Sequence, residues 1–122
     1  MIDDVADLTK KVFNSDVKDT LAFGKFGIEK ESLRISQSAI SRKKHQESMG
    51  SPLCHRYITT DFSEAQLELI TPPFIDKKTG LDFLENIHHF VSHNIDDEII
   101  WPLSMPPLIQ SDEDIPIASY GS

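Results

Sequence analysis

Five carboxylates lie on two short segments of the chain, at a spacing that could support chemistry. The segments are GIEKESLR, with Glu29 and Glu31, and ITTDFSEAQLELI, with Asp61, Glu64 and Glu68. If these segments form neighbouring strands, carboxylates on the same face repel one another unless a cation offsets their charge. A hard divalent ion such as Mg²⁺ prefers oxygen ligands and has this role in phosphoryl-transfer sites. The pattern therefore indicates a metal and nucleotide site, with Lys30 and Arg34 as candidate partners of phosphate or of the acids.

The same carboxylates have a simpler explanation, because charged side chains on a strand are mostly exposed and solvated. The spacing also raises a difficulty for a shared site. Asp61 and Glu68 are seven residues apart, which places them on opposite faces of a regular strand. Both reach one site only if a bulge or a bend intervenes.

Alternation within the two segments predicts strands that carry these acids. In the first, one face holds Ile28, Lys30 and Ser32 and the other holds Glu29, Glu31 and Leu33. In the second, one face is apolar and holds Ala65, Leu67 and Leu69. The other face is polar and holds Glu64, Gln66 and Glu68. Taken alone, SEAQLELI also suits a short helix, because its residues are good helix formers. The flanking ITTDF and ITPP favour the strand.

Helical spacing of apolar residues predicts three helices. Residues 3–13 place Val5, Leu8 and Val12 together, and residues 16–23 follow as a second short helix. Residues 79–97 show the clearest period and begin with Thr79 and Asp82 spaced like a capping box. The apolar face expected there consists of Leu81, Leu84, Ile87 or His88, Val91 and Ile95. The composition of residues 36–57 indicates a polar excursion or a hairpin arm. The proline-rich tail is expected to form loops with one short strand near IPIASY.

Two other groups of reactive side chains are weaker candidates. His89 and His93 are one helical turn apart, with His88 adjacent, but the metalloprotease glutamate between them is missing, so we assign them no metal. Cys54 precedes His55, yet sequence neighbours on a strand point to opposite faces. We therefore expect a structural or incidental thiol.

Length and charge restrict the remaining possibilities. The 122 residues suit one domain or a piece of one. The excess negative charge of −8 lies after Lys78, where the sequence contains eight aspartates and glutamates and no lysine or arginine. This charge distribution argues against nucleic acid and anionic membranes as partners, because binding to them requires basic surfaces. The single cysteine, and the lack of a signal peptide or long apolar segment, predict a cytoplasmic protein.

Four motifs occur in an order that resembles the amino-terminal portion of proteobacterial-type glutamate–cysteine ligases. They are GIEKESLR, ITTDFSEA with ELITP, WPLSMP and the closing IASYGS. The resemblance covers the chain from about residue 20 to its end. It implies an α+β fold that forms part of a glutamine-synthetase-like antiparallel sheet with flanking helices. Residues 1–122 are then expected to be an incomplete portion of a ligase catalytic domain.

The resemblance also implies a reaction. Such enzymes use ATP and Mg²⁺ to phosphorylate the γ-carboxylate of L-glutamate, and the amine of L-cysteine then displaces phosphate, giving γ-glutamylcysteine, the precursor of glutathione. By position, Glu29 and Glu68 match metal-binding carboxylates, Glu31 and Asp61 match acids of the active centre, and Phe62 matches a residue lining the cysteine pocket. The alternatives are a non-catalytic remnant, or an acidic module that binds a cation or a protein.

The chain departs from the family in small and large ways. Lys30 stands where arginine is common, and Ser32 where threonine is common. The family is several times longer, and further metal ligands, phosphate-binding arginines and most of the cysteine pocket follow the point that matches Ser122, within a YGSSN-type motif. We therefore expect the 122-residue chain to be inactive alone, and to expose an unpaired sheet edge and an apolar face.

Overall fold

The structure, a computed structural model, describes residues 2–119. The helices are α1 (Ile2–Val12), α2 (Ser15–Ala22) and α3 (Lys77–Asn94). The strands are β1 (Glu29–Ser36), β2 (Ala39–Ile40), β3 (Ile58–Thr60), β4 (Gln66–Ile70) and β5 (Ile99–Ile100). Short 3-10 turns occupy Glu47–Met49 and Asp112–Asp114. None of the described helices is long and apolar enough to cross a membrane.

The described strands form one five-stranded sheet in which every pairing is antiparallel. Its main order is β2-β1-β4-β3, and β5 also pairs with β1. Because β4 lies between β1 and β3, the two carboxylate-bearing segments are neighbours, which meets the condition that a shared site required. The expected α+β arrangement, an antiparallel sheet with helices, is confirmed.

One face of the sheet is apolar and packs against α3. The buried side chains of this core come from β3, β4 and the helix, and include Ile58, Leu67, Leu69, Ile87, Val91 and Ile95. The strand prediction is confirmed for Gln66–Ile70, where the alternation buries Leu67 and Leu69 against α3, whereas the residues from Ser63 to Ala65 precede the strand. A second cluster, around Ile35, Ile40 and Ala65, lies where Trp101 and Ile109 cover the sheet.

The start of α3 differs from the prediction. Asp76 is the N-cap, and its Oδ2 accepts hydrogen bonds from the backbone N–H and the hydroxyl of Thr79, each at 2.7 Å. The expected capping box of Thr79 and Asp82 is wrong, because Asp82 instead pairs with Lys78 one turn earlier, at 2.6 Å. Leu81 is 57% exposed and so does not belong to the buried face, which holds Gly80, Ile87 and Val91.

The carboxyl end of α3 comes earlier than expected. The helix ends at Asn94, not at residue 97, and Ile95 is its buried C-cap. Positive φ at Asp96 then turns the chain. Ile99 and Ile100 form β5, which pairs with Ile35 and Arg34 of β1. The sequence did not predict this strand, since two residues are too few to show alternation.

The amino-terminal helices and the tail agree with the prediction in part. Both α1 and α2 are present, but Val5 and Leu8 are each 64% exposed. The strand expected near IPIASY is reduced to one antiparallel bridge between Ile117 and Ser63. Tyr120 to Ser122, including the YGS of the expected YGSSN-type motif, lie outside the described residues. The polar excursion begins as the predicted hairpin arm, in which β2 turns back on β1 at Gln37 and Ser38.

Candidate functional site

The face of the sheet opposite α3 carries carboxylates from β1 and β4 and from Asp61, the residue that follows β3. Glu31 is directly opposite Glu68 in the pairing of β1 with β4, and Thr59 is opposite Glu68 on the other side. Alternate residues of a strand share a face, so Glu29 lies on the same side as Glu31. We call this surface the acidic face and define it by Glu29, Glu31, Asp61, Gln66 and Glu68.

A turn brings Asp61 to the acidic face. The backbone N–H of Asp61 donates to the carbonyl of Gln66 at 3.0 Å, which extends the pairing of β3 with β4 by one residue. Residues 62–65 form the turn between them. Asp61 and Glu68 therefore lie on neighbouring strands, and the bend that their seven-residue spacing required is this hairpin turn.

Gln66 joins two of these acids. Its Nε2 donates to Oε2 of Glu31 at 2.7 Å and to Oδ2 of Asp61 at 3.0 Å. Both carboxylates are thus within hydrogen-bond distance of the same nitrogen atom. The alternation places Gln66 on the polar face, but its contact with the two acids depends on the register of three strands, which no local pattern predicts.

The electrostatics of the acidic face favour a bound cation. Partial burial raises the pKa of Glu68, and the negative charges of Glu29, Glu31 and Asp61 raise it further. The folded chain therefore disfavours the ionised form of Glu68 when no cation is nearby. A divalent ion at this face would stabilise the ionised form of Glu68 by offsetting these negative charges.

Glu64 does not belong to the acidic face, contrary to the predicted alternation. It precedes β4, is buried, and its carboxylate accepts hydrogen bonds from the backbone N–H of His45 at 2.9 Å and of Ser119 at 2.8 Å. Burial alone would raise the pKa of Glu64, but these two N–H donors and the charge of Arg34 hold it below its ordinary value. The residue joins the hairpin arm and the tail to the β3–β4 turn.

The two predicted basic partners are also placed elsewhere. Arg34 is fully buried, donates to Glu98 at 2.6 Å, and further binds the carbonyls of Lys43 and Glu64 at 2.7 and 2.8 Å. Lys30 lies on the opposite side of β1 and donates to the hydroxyl of Ser32 at 2.5 Å. Neither cation therefore lies on the acidic face, and the suggested pairing with the acids is seen as the contact of Arg34 with the carbonyl of Glu64.

Phe62 follows Asp61 at the start of the turn. Its side chain is 65% exposed, and its carbonyl accepts a hydrogen bond from the N–H of Ala118 at 3.0 Å. The tail thus holds the backbone of Phe62 while the ring remains open to solvent. Phe62 is therefore the first residue of the turn and directly follows Asp61 of the acidic face.

Among the described residues, His89 and His93 contact groups of their own helix. His93 Nδ1 is 2.7 Å from the carbonyl of His89, and His89 Nε2 is 3.7 Å from the carboxylate of Glu85. Cys54 is exposed, while His55 Nδ1 accepts from the backbone N–H of Tyr57 and of Ile58 and so supports the entry to β3.

No group of three or more His, Cys, Asp or Glu side chains is arranged to hold a metal ion within residues 2–119. This applies to the acidic face as well. Magnesium, however, is usually bound by one or two carboxylates together with substrate phosphates and waters, not by an all-protein cage. The hard oxygen donors of the face fit an ion that arrives with a nucleotide.

Comparison with known proteins identifies the family. A sequence model of the glutamate–cysteine ligase family matches residues 9–122. The chain is 47% identical over 112 residues to the glutamate–cysteine ligase of Alcanivorax borkumensis, covering 91% of this chain and 21% of that protein. It is 52% identical over 97 residues to the glutamate–cysteine ligase of Wigglesworthia glossinidia brevipalpis, covering 79% of this chain and 19% of that protein.

Solved structures agree with the sequence relatives. The glutamate–cysteine ligase of Francisella tularensis in complex with AMP has a TM-score of 0.74 and 39% identity, over 79% of this chain and 20% of that one. The bifunctional glutathione synthetase of Pasteurella multocida also has a TM-score of 0.74 and 39% identity, over 83% of this chain and 15% of that one. The expected ligase fold, part of a glutamine-synthetase-like sheet, is thereby confirmed. The chain spans about a fifth of the length of the curated ligases that it matches, and it belongs to the glutamate–cysteine ligase family.

Proposed function

We propose that this chain forms one wall of the site at which a glutamate–cysteine ligase makes γ-glutamylcysteine. The observation that carries the proposal is the acidic face, on which β1, β4 and the end of β3 present four carboxylates to one region. Membership of the family supplies the reaction, an ATP-dependent ligation of L-cysteine to the γ-carboxylate of L-glutamate.

The reaction has two steps whose charges explain the need for this face. In the first, the γ-carboxylate of glutamate attacks the γ-phosphorus of ATP, giving γ-glutamyl phosphate and ADP. In the second, the amine of cysteine attacks the acyl carbon, an amide bond forms, phosphate leaves and the amine loses a proton. Two anions approach each other in the first step, and a bound Mg²⁺ would supply positive charge that offsets their repulsion.

The residues of the face have different roles in this proposal. Glu29 and Glu68 are proposed to hold Mg²⁺, and the raised pKa of Glu68 supports a position where a cation is favourable. Glu31 and Asp61, joined by Gln66, are proposed to complete the acidic wall of the active centre. The exposed ring of Phe62 is proposed to line the cysteine pocket. A cytoplasmic location, with Cys54 reduced, stays a prediction.

Calorimetric titration tests the proposal. Mg²⁺-dependent binding of ATP to the 122-residue chain is the expected result, and it should weaken strongly in Glu68→Gln. The matched control is Glu113→Gln, which changes an exposed glutamate far along the chain. Cation binding without nucleotide would instead favour an acidic binding module, and no binding at all would favour a non-catalytic remnant.

Turnover is a separate question. We predict that the 122-residue chain alone releases no ADP in a coupled assay with glutamate, cysteine, ATP and Mg²⁺, because it corresponds to about a fifth of the ligases it matches. Robust turnover by the purified chain would overturn this prediction without affecting the proposed binding role.

A further inference from the structure

Gln66 occupies an unusual position between two acids of the acidic face. It lies on the central strand β4, opposite Leu33 of β1, so Glu31 is its diagonal neighbour on one side. Asp61 is its backbone partner on the other side, because Asp61 N–H donates to the Gln66 carbonyl at 3.0 Å. Diagonal neighbours on a sheet are about 7–8 Å apart, so only a long side chain can join them.

The chemistry of the contact determines how the amide is oriented. Nε2 donates to one oxygen of each carboxylate, at 2.7 Å for Glu31 and 3.0 Å for Asp61. The opposite orientation would aim the amide oxygen at two acceptors. The backbone is held as well, since the N–H of Gln66 donates to the carbonyl of Ser63 at 2.8 Å. The amide is therefore a fixed double donor between two anions.

We infer that Gln66 is a positioning residue, which holds the carboxylates of Glu31 and Asp61 in the arrangement that the cation of the proposed ligase site requires. The inference rests on the proposed function. A carboxylate has about four acceptor sites, so donation from an amide orients the group without excluding a cation from it. Hydrogen-bond partners of carboxylates that bind a metal affect its affinity by roughly 10- to 100-fold. Gln66 is expected to act in the same way on Glu31 and Asp61, whose charges lie beside the proposed ligands Glu29 and Glu68.

The effect is distinct from simple stabilisation of the fold. Gln66 is only partly buried, and the main core lies on the opposite side of the sheet. Removal of its donors should therefore change cation affinity more than it changes folding. The backbone hydrogen bonds that define β4 do not involve the side-chain amide of Gln66.

The experiment is a titration of the 122-residue chain with Mn²⁺, in which free Mn²⁺ is followed by electron paramagnetic resonance. Gln66→Met keeps the length of the side chain and removes both donors, and we expect Mn²⁺ affinity to fall about tenfold or more. Gln110→Met is the matched control and should leave the affinity unchanged. In a Glu31→Gln background the effect of Gln66→Met should shrink, because one of its partners has been altered.

The outcomes separate this inference from the proposed function. If the unmodified chain binds Mn²⁺ and Gln66→Met binds it equally well, the role of Gln66 is overturned and the cation site stands. If the unmodified chain does not bind Mn²⁺, the proposed cation site and the positioning role of Gln66 are both overturned. If circular dichroism shows that Gln66→Met is unfolded, Gln66→Asn replaces it. That amide is too short to reach both carboxylates, so the same loss is expected, and an unchanged affinity again overturns the inference.

Discussion

Arg34 and Glu98 form an ion pair that is completely hidden from solvent, with 2.6 Å between Nη1 and Oε2. Arg34 also binds the carbonyls of Lys43 and Glu64, and Glu98 accepts a hydrogen bond from the hydroxyl of Ser41. The pair therefore joins β1, the hairpin arm, the β3–β4 turn and the segment after α3. It lies behind the acidic face and fixes the turn that carries Asp61.

Removing one member of this pair should be strongly destabilising. Arg34→Met leaves the carboxylate of Glu98 buried without its cation, and we expect the free energy of unfolding to fall by about 3–5 kcal/mol. Urea denaturation followed by circular dichroism measures the change. Arg42→Met is the control, because the Arg42 pair with Asp114 is exposed and its loss should cost less than about 1 kcal/mol. Equal effects of the two variants would contradict the structural role of the buried pair.

Glu64 should also stabilise the chain, in a manner that depends on pH. Glu64→Gln replaces one acceptor oxygen with a donor that faces the N–H of His45 or Ser119, and a loss of about 1–3 kcal/mol is expected at neutral pH. The pKa of Glu64 is held below its ordinary value of 4.5, so its stabilisation is present above that pH and is lost as pH falls through the folded pKa. Wild type and variant should therefore converge in acid, as thermal unfolding across pH would show. A constant difference at all pH values would exclude this explanation.

Glu68 should have the opposite pH dependence. Its pKa is raised by burial and by Glu29, Glu31 and Asp61, so any stability linked to it is present below the ordinary value of 4.5 and is lost as pH rises through the folded pKa. Without divalent cations, Glu68→Gln should therefore have a higher Tm than wild type at about pH 7. Calorimetric scans with and without Mg²⁺ check this, because Mg²⁺ should raise the Tm of wild type more than that of the variant. A variant less stable than wild type without cations would show that the acids do not repel one another.

The N-terminus of α3 gives a prediction that distinguishes two neighbouring aspartates. Asp76→Ala removes the cap that binds the N–H and hydroxyl of Thr79 and should lower Tm by a few degrees. Asp82→Ala removes only an exposed pair with Lys78 and should change Tm much less. The two variants have the same change in charge and side-chain size, so thermal unfolding compares them directly. A larger effect at Asp82 would restore the capping box predicted from sequence.

The family and much of the sheet could be predicted from sequence, because they depend on local patterns. Period-two alternation places Leu67 and Leu69 on one side and Glu68 on the other in any strand, whatever its partners. The motifs around Glu29 and Asp61 likewise need no coordinates to be recognised. The apolar period did not predict the buried residue in the first turn of α3, because Gly80 is buried there and Leu81 is exposed.

What only the tertiary structure decided is which side chains meet. Glu64 and Glu68 have the same parity in sequence, yet Glu64 precedes β4 and is buried by the tail, because alternation applies only inside a strand. Asp61 joins Glu31 through Gln66 because a hairpin turn and the register of β1, β4 and β3 bring them together. Sequence therefore determined the carboxylates that the acidic face contains and the family they belong to. Their contacts, and the burial of Arg34, follow from long-range pairing, which no local pattern encodes.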